Sequence, residues 1–527
     1  MFSPELSCDF NHRSPYRTVE IWLDEAIWGH RIYDQPTPEL ILLELLNVVD
    51  SLLRSHREPF RAGKTVEEVL KTSYRRSLVL RTILFNNPTL RTPVEHGWDN
   101  QKAWTFQLEA LRQTWSSYQG VTSVDFSYLK DRFPSYRTYV ELVETLRRGA
   151  IEFESNKRWT SKFLFPYCPE SLFEDLNETL SADRRFFGRS GEIAYLMLTR
   201  SGCGDQIWEG LRTVFFDKAT HSVRWKKAIA SLAHNTDLDT RSSHAEQPLG
   251  YLPYESHRVF GIFGEDVKTL LNAGLPEYDV MPYLARLIAF HLLHYVLVIA
   301  AEGLEDRPST FPPVTYVLEI QSERADVTRR LARNSFQLNN ELPMRRIQTA
   351  LSRIRRLDEV DDAISRNDRQ QLELLLENRW WMAIRKKPDA RRAISAPELW
   401  SAFEKAVKKR HRQHLGRVHH EYARSCGLSS RAGTNAYRYA PTDGFLRTMV
   451  LANVSRRMDY DEFLDVLYRR YGFIIAKGHA QDSGLGGDLT DFDLNNRRFQ
   501  ARLTRLGLMH RLSDACAYVV NRYREEG

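Results

Sequence analysis

The segment VMPYLARLIAFHLLHYVLVIAA, residues Val280–Ala301, is long enough to cross a bilayer as a helix. It also contains Pro282, Arg286, His291 and His294. A central arginine costs about 2.5–3.5 kcal/mol in a membrane-spanning helix. We therefore predict a buried helix in the core of a large soluble protein and no membrane span.

The bulk composition is that of an ordinary globular protein. The 527 residues are 42% hydrophobic and 27% charged, a length that predicts three or four domains with cores of their own. The five cysteines are far apart and form no C-x-x-C pair, which favours reduced thiols in the cytoplasm. Residues Met1–Arg13 lack the apolar core of a secretory signal.

Helical periodicity on either side of this segment predicts a mainly α, multi-domain protein. Helices are predicted at Pro38–Leu53, Thr65–Leu84, Trp104–Tyr118 and Tyr139–Arg148, and a strand at Val314–Gln321. We divide the chain into an N-terminal helical domain (1–150), a central mixed but mainly helical domain (151–305), a strand with a charged helical region (306–395), and a basic C-terminal block (396–527).

The C-terminal block begins with a basic stretch, Glu404–Arg424, which we predict to be one long helix. Its cations suit phosphate contacts, although a solvated helix face would have the same composition. The candidate phosphate ligands are Lys408, Lys409, Arg410, Arg412 and Arg417. Four histidines, His411, His414, His419 and His420, would add polar donors.

The end of the chain has the pattern of a winged helix-turn-helix-like domain. Three amphipathic helices are predicted to begin near Thr442, Asp459 and Phe492, and a hairpin follows from Leu508. The third helix of such a fold usually enters the major groove of DNA. Its candidate DNA ligands are Arg497, Arg498, Arg502 and Arg505. A winged helix used for protein–protein packing, with these arginines on acidic partners, remains the alternative.

Tyr439–Ile475 and Asn495–Asn521 resemble the C-termini of large proteins from bacterial phage-defence islands. The family they are similar to comprises accessory components of methylation-associated defence systems, which are relatives of BREX. Glu154–Pro166 and Phe186–Gly202 are similar to the same family. The resemblance implies association with defence proteins such as a methyltransferase or an ATPase. It implies no catalytic residue and no cofactor.

Motifs for catalysis are weak in this sequence. It has no G-x-x-x-x-G-K-[ST] phosphate loop, no G-x-S-x-G elbow and no H-E-x-x-H pair. Asp306, Glu319 and Gln321 faintly resemble the carboxylate arrangement of a metal-dependent nuclease. The histidines of the basic stretch, with Glu421 and Cys426, are the candidate zinc ligands, but a four-ligand set is not evident.

These observations lead us to expect a non-catalytic subunit that binds double-stranded DNA and acts as an adaptor in a bacterial anti-phage defence complex. Two alternatives stay open. One is a structural protein–protein scaffold without nucleic-acid contact, and the other is a metal-dependent nuclease whose site is scattered in the sequence.

Overall fold

The computed structural model describes most of the chain. The described residues are 22–29, 32–34, 36–65, 68–118, 123–151, 163–173, 188–217, 220–234, 247–276, 279–304, 312–320, 327–379, 388–431, 436–513 and 516–524. The predicted nuclease residues Asp306 and Gln321 and the turn residue Asp514 lie outside them.

The protein is mainly helical, as predicted. The helices are α1 (Leu23–Trp28), α2 (Pro38–Arg54), α3 (Leu78–Leu84), α4 (Thr92–Glu95), α5 (Asn100–Ser116), α6 (Tyr128–Arg132), α7 (Tyr136–Arg148), α8 (Ser190–Thr199), α9 (Gly204–Leu211), α10 (Thr220–Leu232), α11 (Arg258–Leu271), α12 (Val280–Glu302), α13 (Val327–Arg355), α14 (Asp358–Ser365), α15 (Arg369–Arg379), α16 (Pro388–Arg392), α17 (Ala396–Gln413), α18 (Leu415–Ser425), α19 (Asp443–Asn453), α20 (Tyr460–Tyr471), α21 (Lys477–Asp482) and α22 (Asp491–Arg505).

The strands are short and fall into small separate sheets. They are β1 (Lys71–Thr72), β2 (Ala150–Ile151), β3 (Phe163–Leu164), β4 (Gln247–Pro248), β5 (Tyr316–Val317), β6 (Ser429–Ser430), β7 (Arg438–Tyr439), β8 (Arg457–Asp459), β9 (Phe473–Ile474), β10 (Met509–Ser513) and β11 (Cys516–Val520). A 3₁₀ turn, Pro169–Ser171, and a π-helical turn, Arg212–Phe216, complete the regular elements.

Helix α12 is the centre of the molecule. It packs against α2, α11, α13, α18 and α19, and 94% of its most apolar 18-residue window is buried inside the protein. Its buried histidines have partners, because His291 Nε2 lies 2.8 Å from Asp266 Oδ2 and His294 Nδ1 lies 3.0 Å from the Tyr316 hydroxyl. The prediction of a core helix is therefore confirmed, although this helix is also long and apolar enough to span a membrane.

Two large sets of buried side chains, and a third, small one around Ile474 and Phe492, organise the described residues. The larger set is continuous from Leu23 to Val519 and includes side chains from all four predicted domain ranges. The smaller set joins α3, α5, α7 and α10 around Trp104 and Tyr139. The large core thus connects the N-terminal helices to the C-terminal ones.

Three of the predicted helices are present, and each begins after a residue whose side chain caps it. Thr37 accepts a hydrogen bond from the Leu40 amide at the start of α2, with Pro38 as the first helical residue. Asp99 caps α5 and Ser135 caps α7 in the same way. Helix α7 contains the predicted segment Tyr139–Arg148, and α5 contains Trp104–Tyr118 except for its last two residues.

Other predictions of single elements are wrong. Among the described residues of Thr65–Leu84 the helix begins only at Leu78, because Lys71 and Thr72 pair with β4 instead. The strand predicted at Val314–Gln321 is present in part: of its described residues, 314–320, Tyr316 and Val317 form a strand, in a parallel pair with β9. The sequence predicts Ser190 as the N-cap of a helix that begins near Glu192. Ser190 is instead the first residue of α8, and Arg189 precedes it in a left-handed conformation with φ 55°.

The predicted long basic helix is interrupted at His414, which has φ −130° and ψ −93° and separates α17 from α18. The two helices meet closely at this break. A Cβ on Gly416 would lie only 2.9 Å from the His411 carbonyl oxygen. The two helices pack against one another, so their cations do not form one continuous row.

The C-terminal elements follow the order α19, β8, α20, β9, α21, α22, β10, β11. Strands β10, β11 and β8 form an antiparallel sheet in that spatial order. Helix α19 begins where predicted and is capped by Thr442. Asp459 caps α20 and Gly472 ends it with φ 80°, as the spacing of Asp459 and Glu462 and the glycine after Tyr471 predict. The glycine-rich segment Gly478–Gly487 predicts a loop, but its first residues belong to the short helix α21.

Candidate nucleic-acid interface

Positive charge is concentrated at the C-terminal end of the chain. Residues 396–527 contain 22 Lys and Arg against 15 Asp and Glu, so this range alone carries the net charge of +7 found for the whole chain. The remaining residues are electrically balanced. A cation-rich segment of this kind favours contact with a polyanion.

Helix α22 is held in place by side chains that point inward. Phe492, Phe499 and Leu503 enter the core. The buried Asn495 donates to the carbonyl oxygens of Leu318 (3.0 Å) and Ile475 (2.9 Å) and accepts from the Ile320 amide (2.8 Å). This three-bond clamp fixes the helix against the segments around β5 and β9, and sequence periodicity gave no sign of it.

The opposite face of α22 is exposed to solvent. It presents a stripe of side chains at helical spacing, which comprises Thr490, Asp493, Leu494, Arg497, Ala501, Thr504 and Arg505. Arg497 and Arg505 form no ion pair with any described residue. We call these seven residues the α22 stripe. Its small and polar members were missed because the sequence argument followed charge alone.

The other two predicted arginines of α22 lie away from the centre of the stripe. Arg502 is 12% exposed and donates to Asp443 Oδ1 of α19 at 2.7 Å. Arg498 is half-buried at the edge of the stripe and takes part in a further interaction. Arg502 therefore braces α22 against α19, and its charge is already matched inside the protein.

The basic residues of α17 are divided in the same way. Arg410 Nη2 donates to Glu25 Oε1 at 2.6 Å, and its guanidinium lies 4.4 Å from the centre of the Trp22 ring. Lys408 pairs with Glu404 one turn away. Lys409 and Arg412 are exposed and unpaired among the residues that the structure describes.

Arg417, the predicted residue on α18, is 65% exposed on its side chain, with Asp34 Oδ2 at 4.0 Å. At this exposure and distance the pair contributes little. Of the nine predicted DNA ligands, five therefore keep an exposed side chain: Arg497, Arg505, Lys409, Arg412 and Arg417.

Two histidines of the basic stretch are buried and do not reach the surface. Burial lowers the pKa of His411 to about 4 and that of His419 to about 3, so both are neutral at pH 7. His419 binds Asn340 and the Tyr439 hydroxyl through its two ring nitrogens. In the described part of the chain no three His, Cys, Asp or Glu side chains form a group that could hold a metal ion.

Glu319, the candidate nuclease carboxylate, is 3% exposed. It forms a buried ion pair with Arg438 of β7, and Arg329 of α13 lies 3.8 Å away. Both flanking groups are cations, and the carboxylate is enclosed by the core. These contacts give Glu319 a structural part in joining β5, β7 and α13.

A buried polar cluster also fixes α20. Asp266 of α11 accepts hydrogen bonds from Arg470 and from the Tyr471 hydroxyl and lies beside His291 of α12. Tyr471 also receives a bond from Asn453 of α19. The C-terminal helices are thus tied to the central helices by charge and hydrogen bonds as well as by apolar packing.

Comparisons with known proteins add no relative to this description: no protein-family model, no curated protein and no solved structure matches the chain.

Proposed function

We propose that this chain is a non-catalytic adaptor that binds double-stranded DNA through a C-terminal winged helix-turn-helix-like domain, in the cytoplasm of a bacterium. The α22 stripe is the observation that carries the proposal. In the proposed fold α19, α20 and α22 are the three helices, and β10–β11 is the wing. Helix α22 then enters the major groove.

The composition of the α22 stripe supports base contacts as well as phosphate contacts. Arginine can bind guanine with two hydrogen bonds, and aspartate can accept from cytosine. A small side chain such as Ala501 lets the helix approach the base edges and can contact a thymine methyl group. Lys409, Arg412 and Arg417 would add sequence-independent affinity from α17 and α18.

The experiment measures fluorescence anisotropy of a labelled 30-base-pair random duplex as the KCl concentration rises. We expect tight binding at low salt and a steep loss of affinity with increasing salt. The double variant Arg497→Ala/Arg505→Ala should reduce the slope of log K against log [KCl] by about 2, since each lost phosphate contact lowers it by about 0.9.

Arg502→Ala is the matched control. It removes a cation from the same helix, but one whose charge Asp443 already neutralises. It should leave the salt slope unchanged. A wild-type protein that does not bind duplex DNA at low salt would contradict the proposal.

The place in an anti-phage defence complex is proposed from the family resemblance. Its test is whether neighbouring genes encode a methyltransferase and an ATPase, and whether those proteins co-purify with this chain. Loss of phage resistance on deletion of the gene, with recovery on complementation, is the expected result. Full phage resistance in a strain without the gene would contradict the proposed place in a defence complex.

The second candidate is a protein–protein scaffold without DNA contact. It is favoured by Arg410 and Arg502, whose charges are matched by the protein's own carboxylates. In that case the exposed arginines would meet acidic side chains of a partner. Co-purification without any DNA binding would favour this candidate.

A further inference from the structure

Helix α13 is strongly basic. Residues 327–356 contain eight arginines and one acidic residue, Glu341. Six of the arginines are at least half-buried or have a partner, for example Arg346, which donates to the Gly303 carbonyl oxygen at 2.9 Å, and Arg355, which pairs with Asp361. Arg330 and Arg333 are exposed and form no ion pair in the part of the chain described.

These two arginines share one face of the helix with other polar side chains. Arg330, Arg333, Asn334 and Gln337 are all exposed and lie at the spacing i, i+3, i+4, i+7. We call these four residues the α13 face. It extends about 10 Å along the helix axis, which is comparable to the length of DNA strand that carries about three phosphates.

One flank of the α13 face packs against the beginning of α22. Leu331 and Ala332 belong to a small apolar cluster with Phe492, and the Val327 amide donates to Asp491 Oδ2 at 2.6 Å. Arg330 and Arg333 are therefore within two helical turns of the amino-terminal end of α22, where the α22 stripe begins.

The other flank packs against α18. Phe336 lies 4.5 Å from the His419 ring, and Asn340 Oδ1 lies 3.0 Å from His419 Nδ1. Tyr437 stacks on Phe336 with 5.8 Å between ring centres, and the Arg431 guanidinium lies 5.7 Å from the Tyr437 ring. Arg431 thus lies beside the same flank and is exposed.

We propose that the α13 face, together with Arg431, is a second phosphate-binding surface that grips the duplex backbone beside the groove entered by α22. This inference rests on the proposed DNA binding and extends it. Exposed cations lie on α22, on α13 and in the segment after α18, and α13 packs against the other two. A polyanion can contact all three at once.

The test uses the full chain and the same 30-base-pair duplex. The triple variant Arg330→Ala/Arg333→Ala/Arg431→Ala should lower the salt slope by about 2 to 3 and weaken binding about tenfold or more at fixed salt. The corresponding triple lysine variant should restore most of the slope, because it keeps the charge. This rescue separates loss of a phosphate contact from loss of packing.

The control for total charge is Lys130→Ala/Arg137→Ala/Arg148→Ala, which removes three exposed cations of α6 and α7. It should leave the slope unchanged. If Arg497→Ala/Arg505→Ala lowers the slope and the α13 triple does not, the α13 proposal is wrong and the proposed function stands. If the wild type does not bind the duplex, or if neither variant alters binding, both the proposed function and the α13 proposal are wrong.

Discussion

His411 packs inside the protein with its ring 6.0 Å from that of Trp28, and its Nδ1 has no hydrogen-bond partner among the residues described. Burial lowers its pKa to about 4, below the value of about 6.5 in the unfolded chain. The unfolded state therefore takes up the proton first as the pH falls, and the fold loses stability between about pH 6.5 and pH 4.

We expect His411→Phe to remove this loss, since phenylalanine fills a similar volume and does not titrate. We compare the free energy of unfolding of the variant with that of the wild type at each pH. This difference should be about 2 kcal/mol more favourable to the variant at pH 5 than at pH 7.5. Urea unfolding followed by tryptophan fluorescence at the two pH values measures this gain. His96→Phe, at an exposed position, is the control, and an equal difference at both pH values for His411→Phe would contradict the argument.

Glu319→Ala should destabilise the protein by about 3–5 kcal/mol, because it removes one partner of a buried ion pair with Arg438. The measurement is urea unfolding, with Glu341→Ala at an exposed position of α13 as the control. A stable variant that has lost a divalent-dependent DNA cleavage present in the wild type would instead favour the nuclease alternative.

Single residues were the hardest level to predict from the sequence. Composition marks Arg410 and Arg502 as cations but does not reveal that Glu25 and Asp443 face them from distant parts of the chain. Arg330 and Arg333 could have been found, because the run of arginines on α13 is visible in the sequence. The clamp made by Asn495 could not, since all its partners lie outside α22.

At the level of elements, Asn495→Ala tests how α22 is held. The variant loses three buried hydrogen bonds and leaves two carbonyl oxygens and one amide without partners. We expect a cost of about 3 kcal/mol in free energy of unfolding. Amide hydrogen exchange should speed up at residues 318–320. Asn496→Ala, at a half-buried position of the same helix, is the comparison and should not speed up exchange at these residues.

Elements with their own caps and an amphipathic period were predicted well, and α2, α5, α7, α19 and α20 are examples. Helix α22 was predicted from its period alone, since it has no side-chain cap. Elements whose conformation depends on a distant partner were not. Lys71 and Thr72 become a strand because β4, far along the chain, pairs with them. The break at His414 depends on the packing of α17 against α18, which a helical pattern does not reveal.

For the whole molecule, Phe290 of α12 joins the central and C-terminal parts, because its ring contacts those of Phe445, Tyr471 and Phe473. Phe290→Ala should cost about 3–5 kcal/mol and increase hydrogen exchange in α2 and α19 together. Leu111→Ala, in the smaller core, should affect α3, α5 and α7 more than α19. Equal effects of both variants on α19 would show that the two cores are not separate units.

The burial of α12 has a consequence for the synthesis of the protein. Some of the helices that cover it, α18 and α19, end at Ser425 and Asn453, long after α12 itself is complete at Glu302. At about 5–20 residues per second a ribosome needs roughly 8–30 seconds to make the intervening chain. During that interval the apolar surface of α12 is only partly covered by its partner helices. We expect a chaperone at the ribosome to bind this surface until α18 and α19 have been made.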